Sequence, residues 1–208
     1  MSRLFAIDNV VDSDDWYTPA WIFDGLGLTF DLDVASPDDR GSSAVPARAF
    51  YTVADDGLLS PWFGTVWCNP PYSAPTQWCR KWAEHEAGCI LIRADLSTGG
   101  PFVAWSAAHA AYVPPKRLQF TSGAGKASGA VNFSTIMLGR GEHVVQAMLD
   151  LAAKYGGATR VLGCAGGVRV YWRDRPVSAT MDGESEARAA QTVPGPLSQK
   201  PVGGVPHA

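Results

Sequence analysis

Apolar and polar positions alternate with two different periods along most of the chain. Residues 29–34 (TFDLDV) switch side at every position, the two-residue period of a half-buried strand. Residues 65–68 (TVWC) and 89–94 (CILIRA) are short apolar runs that predict strands, the second of them central and buried on both faces. Further strands are predicted over 131–138 (VNFSTIML), 161–164 and 168–172. The helical period is clearest over 142–155, where Val144, Val145, Met148, Leu149, Ala152 and Tyr155 share one face. A shorter helix is predicted over 18–26, with Thr18 as its cap, Pro19 in the first turn and Gly27 as its stop. Pro75 and Gly88 bracket another helix over 75–87, on which Trp78 and Trp82 share a face, and one more is predicted near 101–109. Residues 36–60 are rich in Ser, Asp, Gly, Ala and Pro and predict an irregular connection, with an ordered piece near 49–52. Strands alternating with helices predict an α/β fold with a largely parallel sheet, which binds ligands at the carboxyl ends of its strands.

Length and composition set the domain plan. The 208 residues are 46% hydrophobic and 18% charged, which suits one globular domain. Residues 1–15 are acidic and aperiodic and predict a flexible lead-in; 16–175 carry the periodic segments and the folded domain. Residues 176–208 collapse to Pro, Gly, Ser and Ala and predict a disordered tail. A net charge of −3 excludes nucleic-acid binding by bulk positive charge, but not by a local basic groove. No apolar run approaches the roughly 20 residues that cross a bilayer, and the amino terminus lacks the apolar core of a secretory signal. A cytoplasmic protein without membrane contact is expected. The four cysteines, Cys68, Cys79, Cys89 and Cys164, include no C-x-x-C pair and the four histidines no H-E-x-x-H, so no metal is expected and the thiols are read as reduced. Phosphate loops, serine elbows and dinucleotide fingerprints are also missing.

The candidate chemistry lies in Asn69-Pro70-Pro71-Tyr72, directly after a predicted strand. Two prolines cannot extend a strand ladder, so the chain turns there. An exocyclic amine on a nucleobase is a poor nucleophile because its lone pair is delocalised into the ring. Two acceptors aimed at its N–H bonds favour a tetrahedral nitrogen and free that pair. The Asn69 side-chain oxygen and the Pro70 carbonyl supply two such acceptors, and the prolines carry no competing N–H. Tyr72 offers a ring on which a base drawn out of a duplex can stack.

In this setting NPPY resembles the catalytic motif of amino-directed DNA methyltransferases. The chain is most similar to the phage-type, Dam-like DNA N6-adenine methyltransferases over about residues 14–140. The resemblance rests on an ordered series: Trp16-Tyr17-Thr18-Pro19, then Phe30-Asp31-Leu32-Asp33-Val34-Ala35, Asp56-Gly57-Leu58, NPPY, and Arg117-Leu118-Gln119-Phe120. It implies a compact Rossmann-like fold that uses S-adenosylmethionine (SAM) to methylate N6 of adenine in double-stranded DNA, by base flipping and in-line transfer. Asn69, Pro70, Pro71 and Tyr72 would be catalytic. Asp33, with Ala35 beside it, would hold the methionine end of SAM, Asp56 its adenine amine, and Trp16, Thr18 and Pro19 would close over it. The chain departs from the broader class in lacking a glycine-rich loop after its first strand: Asp33 is followed by Val34-Ala35-Ser36-Pro37 and no glycine until Gly41. Arg80 and Lys81 follow the motif, and Lys116, Arg117, Lys126 and Arg140 flank a loop of small residues over 121–130. All but Arg140 are the candidate DNA contacts. Methylation of cytosine N4, which needs the same geometry, action on protein or RNA, and a non-catalytic DNA-binding role remain as alternatives.

Overall fold

The computed structural model describes residues 16–97, 99–120 and 133–162. Seven strands among them form one sheet: β1 (Phe30–Asp33), β2 (Ala47–Phe50), β3 (Thr65–Cys68), β4 (Ala87–Arg93), β5 (Ala110–Val113), β6 (Thr135–Arg140) and β7 (Ala158–Val161). Their spatial order is β2-β1-β3-β4-β6-β5-β7. The helices are α1 (Ala20–Leu26), α2 (Pro75–Glu84), α3 (Gly99–Ala107) and α4 (Glu142–Tyr155), with 3-10 turns at Arg40–Ser42 and Val53–Asp55.

Side-chain alternation divides the core between the two faces of the sheet. On one face Phe30, Trp67, Cys89, Leu91, Tyr112 and Met137 pack against Ile22, Phe23 and Leu26 of α1 and Val144, Met148 and Leu151 of α4. On the other, Leu32, Val66, Cys68, Ile90, Ile92 and Leu138 meet Cys79 and Trp82 of α2 and Ala104 of α3. Successive residues of β4 thus go to opposite cores, as an apolar run buried on both sides requires.

The sheet is parallel in only half of its pairings, which corrects the expectation of a largely parallel one. β2-β1, β1-β3 and β3-β4 are parallel. β4-β6, β6-β5 and β5-β7 are antiparallel. β6 returns between β4 and β5, so it opposes both. Apolar periodicity marks a strand but not its direction, which belongs to the partners. β5 (AAYV) escaped notice because two alanines carry little β signal.

Boundaries shift by a few residues elsewhere. The first helix begins at Ala20: Pro19 is extended (φ −61°, ψ 139°) and the Thr18 hydroxyl caps nothing. Gly27 ends it in the left-handed conformation, donating its N–H to the Phe23 carbonyl at 2.9 Å. β2 starts two residues before the expected ordered piece, β6 runs to Arg140, and β7 ends at Val161, where a strand was expected to begin. The lead-in over 1–15, the loop over 121–130, the strand over 168–172 and the tail over 176–208 lie outside the described residues.

Gly88 fixes how closely β3 and β4 approach below the NPPY turn. Its φ is 150°, and a Cβ there would lie 2.3 Å from the Val66 carbonyl oxygen. Gly88→Ala should therefore cost about 2 kcal/mol or more. The expected reading is a lower urea midpoint; an unchanged midpoint would show that β3 moves aside freely.

Candidate active site

β1 and β3 are parallel neighbours, with Asp33 beside Trp67 at their carboxyl ends. The turns that follow them leave the sheet together, at the edge where α/β proteins hold ligands. A cleft of about 510 Å³ opens there, within the range of a cofactor-sized site. Asp33, Val34, Ala35, Ser36, Pro37 and Asp38 line it from the β1 side, and Trp67, Asn69 and Pro71 from the β3 side. Trp16, Tyr17 and Thr18 line it from the segment before α1, Asp56 and Gly57 from the turn after Val53–Asp55, and Trp78 from α2.

Sequence segments far apart thus converge on one cavity. Of the residues singled out from the sequence, Trp16, Thr18, Asp33, Ala35, Asp56, Asn69 and Pro71 all line it; Pro19, Pro70 and Tyr72 do not. Asn69 is held from one side only. Its Nδ2 donates to the Trp16 carbonyl at 2.7 Å, while its Oδ1 is buried with no hydrogen-bond partner. A carbonyl can only accept, so the amide nitrogen must face Trp16 and the oxygen must face away. The Thr18 hydroxyl is likewise buried and unpartnered in the cleft. Buried polar atoms without partners are uncommon, and both of these belong to residues that line the cleft.

Asp33 is 1% exposed. Its Oδ2 lies 3.3 Å from Arg40 Nη1, and its Oδ1 accepts from the Ala35 N–H at 3.4 Å. Burial pushes its carboxyl up to about 6, against the lowering effects of the Ala35 N–H and the Arg40 charge. Asp56 is exposed and left-handed (φ 49°), and its Oδ1 accepts from the N–H groups of Leu58 and Leu59 at 3.1 and 3.2 Å. Gly57 keeps this turn against the sheet, since a Cβ there would lie 2.0 Å from the Val34 carbonyl oxygen.

Lys81 belongs to the same turn, a correction to its place among the DNA contacts. Its ammonium donates to the carbonyls of Gly57, Leu58 and Ser60 at 3.0, 2.7 and 2.5 Å, and it sits over the Trp62 ring. All three donors are used, so none is left for a phosphate. Arg80, Lys116 and Arg117 are exposed; Lys126 lies outside the described residues. Arg93, which sequence reading missed, is exposed at the end of β4 with its guanidinium 4.6 Å from the Phe133 ring. Only the strand's placement beside the motif reveals it.

Tyr72 is 8% exposed, its ring edge-on to Phe120 and Phe133 and its hydroxyl without a partner. It does not present the open stacking face expected of it. Burial also raises its hydroxyl well above the ordinary range, so it stays protonated.

The cleft suits a ligand that is not a polyanion. Asp33, Asp38 and Asp56 are carboxylates, and the described lining holds no Lys or Arg. Such a wall favours a cationic group, hydroxyls and amines over a polyanion. Trp16 and Trp78 add ring surface to the same wall.

A two-faced α/β sheet with an acidic cleft at its carboxyl edge defines a domain built to hold a small ligand there. A family model described as DNA N-6-adenine-methyltransferase (Dam) matches residues 8–146, about two thirds of the chain, and the chain belongs to that family. No curated protein and no solved structure matches it. No helix among the described residues is long and apolar enough to cross a membrane, and no group of three or more His, Cys, Asp or Glu among them is placed to hold a metal.

The raised Asp33 carboxyl has a consequence for folding. The group titrates near 3.8 when unfolded and near 6 when folded, so the folded chain holds the proton more tightly. Stability is then highest below about pH 4, falls as pH rises to about 6 and stays lower above. Relative to Asp33→Asn, the ligand-free chain should lose up to about 3 kcal/mol across that window. Thermal melts from pH 4 to 7 check this; a constant difference would show that the carboxyl is not held high.

Proposed function

We propose that the chain methylates the N6 amine of adenine in double-stranded DNA, at a defined sequence, with SAM as donor in a Rossmann-like methyltransferase domain. The observation that carries this reading is the one-sided anchoring of Asn69. A nucleobase amine brought to its Oδ1 donates one N–H to that oxygen. The other N–H goes to the Pro70 carbonyl, which the proline pair holds stiffly next to it. Two acceptors on one nitrogen draw its lone pair out of the ring, and the site does so without reorganising as charge develops. When bound, SAM supplies a methyl group made electrophilic by a sulfonium.

Asn69 is partly buried, so an adenine reaches it only by leaving the duplex. Tyr72 stacks on the extruded base once Phe120 and Phe133 give way. Its protonated hydroxyl is no base, and neither is an amide, so the surplus amine proton goes to solvent. The acidic cleft and the exposed Arg80, Arg93, Lys116 and Arg117 divide the work between cofactor and phosphates, which lets a chain of net charge −3 hold DNA locally.

Incubation with labelled SAM and DNA, then mass spectrometry of the digested DNA, tests the reading: N6-methyladenine is expected, whereas N4-methylcytosine or no labelled base overturns it. Asn69→Ala should lower turnover at least about a hundredfold while part of the SAM affinity survives. Turnover within a few-fold of wild type would remove Asn69 from the mechanism. Tyr72→Phe should keep turnover within about threefold, because the hydroxyl makes no hydrogen bond; Tyr72→Ala should lose turnover more than DNA affinity.

A further inference from the structure

Arg40, in the 3-10 turn after β1, lies outside the motif series and does not line the cleft, yet it is the cation paired with the buried Asp33. Three contacts fix it. Its Nη1 lies 2.8 Å from the Ser36 hydroxyl and 3.3 Å from Asp33 Oδ2, and its guanidinium stacks 4.2 Å from the centre of the Phe50 ring. Phe50 is the β2 residue paired with Asp33 across the sheet. The Asp33 contacts to Arg40 and to the Ala35 N–H are longer than the 2.7–2.9 Å typical of charge-assisted bonds, and the Ser36 hydroxyl also bonds the carboxyl; Asp33 itself lines the cleft.

We infer that Arg40 is a positioning residue for the methyl donor: it keeps Asp33 ionised and aimed into the cleft, and so sets the pH above which the cationic end of the donor binds. This rests on the reading of the cleft as the SAM site. The other charged and titratable groups around Asp33 cannot substitute for Arg40. Cys68 on β3 is a buried thiol whose own proton is held more tightly, in part by the Asp33 charge. Tyr51, after β2, donates its hydroxyl to the Pro61 carbonyl at 2.8 Å. Asp38 and Asp56 line the same cleft with charge of the wrong sign. Burial raises the Asp33 carboxyl; the Ala35 N–H, the Arg40 charge and the Ser36 hydroxyl oppose that rise, and the balance falls at about 6.

Two measurements on the full chain test this. Carbon-13 NMR of the aspartate carboxyls, without ligand, follows Asp33 directly. Its midpoint should lie near 6 in wild type, move up on the order of tenfold in proton affinity in Arg40→Gln, and return in Arg40→Lys. Calorimetric SAM binding from pH 5 to 8.5 should show the same displacement, with Arg40→Gln about tenfold weaker at pH 5, about twofold weaker at pH 7 and nearing wild-type affinity at higher pH. Asp33→Asn should flatten the profile. Equal weakening of Arg40→Gln at every pH, with an unmoved Asp33 midpoint, makes Arg40 merely structural and overturns the inference. Failure of wild type to bind SAM at any pH overturns the reading of the cleft, and this inference with it.

Discussion

The Asn69 amide can face only one way, and the proposed chemistry depends on that. Its nitrogen is spent on the Trp16 carbonyl, so its oxygen is left as a buried acceptor with nothing to accept from. Leaving such an atom unpaired costs on the order of 1–3 kcal/mol, more than an ordinary hydrogen bond returns. A partner met during function would offset that cost. The anchor also ties the motif after β3 to the segment before α1, so the residues that line the cleft and the residue proposed to hold the base share one hydrogen bond.

The same logic applies to Asp33. A carboxylate at 1% exposure, with long contacts to Arg40 and the Ala35 N–H and a hydrogen bond from Ser36, is poorly solvated by its protein. Its raised carboxyl reports an incomplete site, one that a cationic ligand would complete. Arg40 then answers the question raised by the missing glycine-rich loop. A cradle of backbone N–H groups suits anions, whereas this turn offers a carboxylate held by a guanidinium. Gly57 and Lys81 fix the facing turn, the first by allowing close approach to Val34, the second by capping three carbonyls.

Charge is sorted by place rather than by total. Acidic side chains line the cleft, and exposed cations stand on α2, at the end of β4 and after β5. In the proposed function, that sorting would keep a polyanionic duplex out of the cleft and draw it to the surroundings.

Much of this was legible in the chain. Strands β1, β3 and β4 and helices α2 and α4 announced themselves because an apolar face repeats every two or every 3.6 residues whatever lies opposite it. NPPY was legible because prolines constrain their own backbone. Strand direction was not, nor the weak β5, nor the fate of Lys81 and Tyr72, because each depends on a partner remote in sequence. Lys81 reads as a surface cation until the Gly57–Ser60 turn is folded under it, and Tyr72 as an open ring until Phe120 and Phe133 pack on it. The sequence by itself determined the local rigidity of the motif and the residue types available. Tertiary structure alone decided which oxygen of the motif is left unpaired, which carboxylate is buried and which arginine answers it, because hydrogen-bond pairing and desolvation arise only when distant segments exclude water from one another.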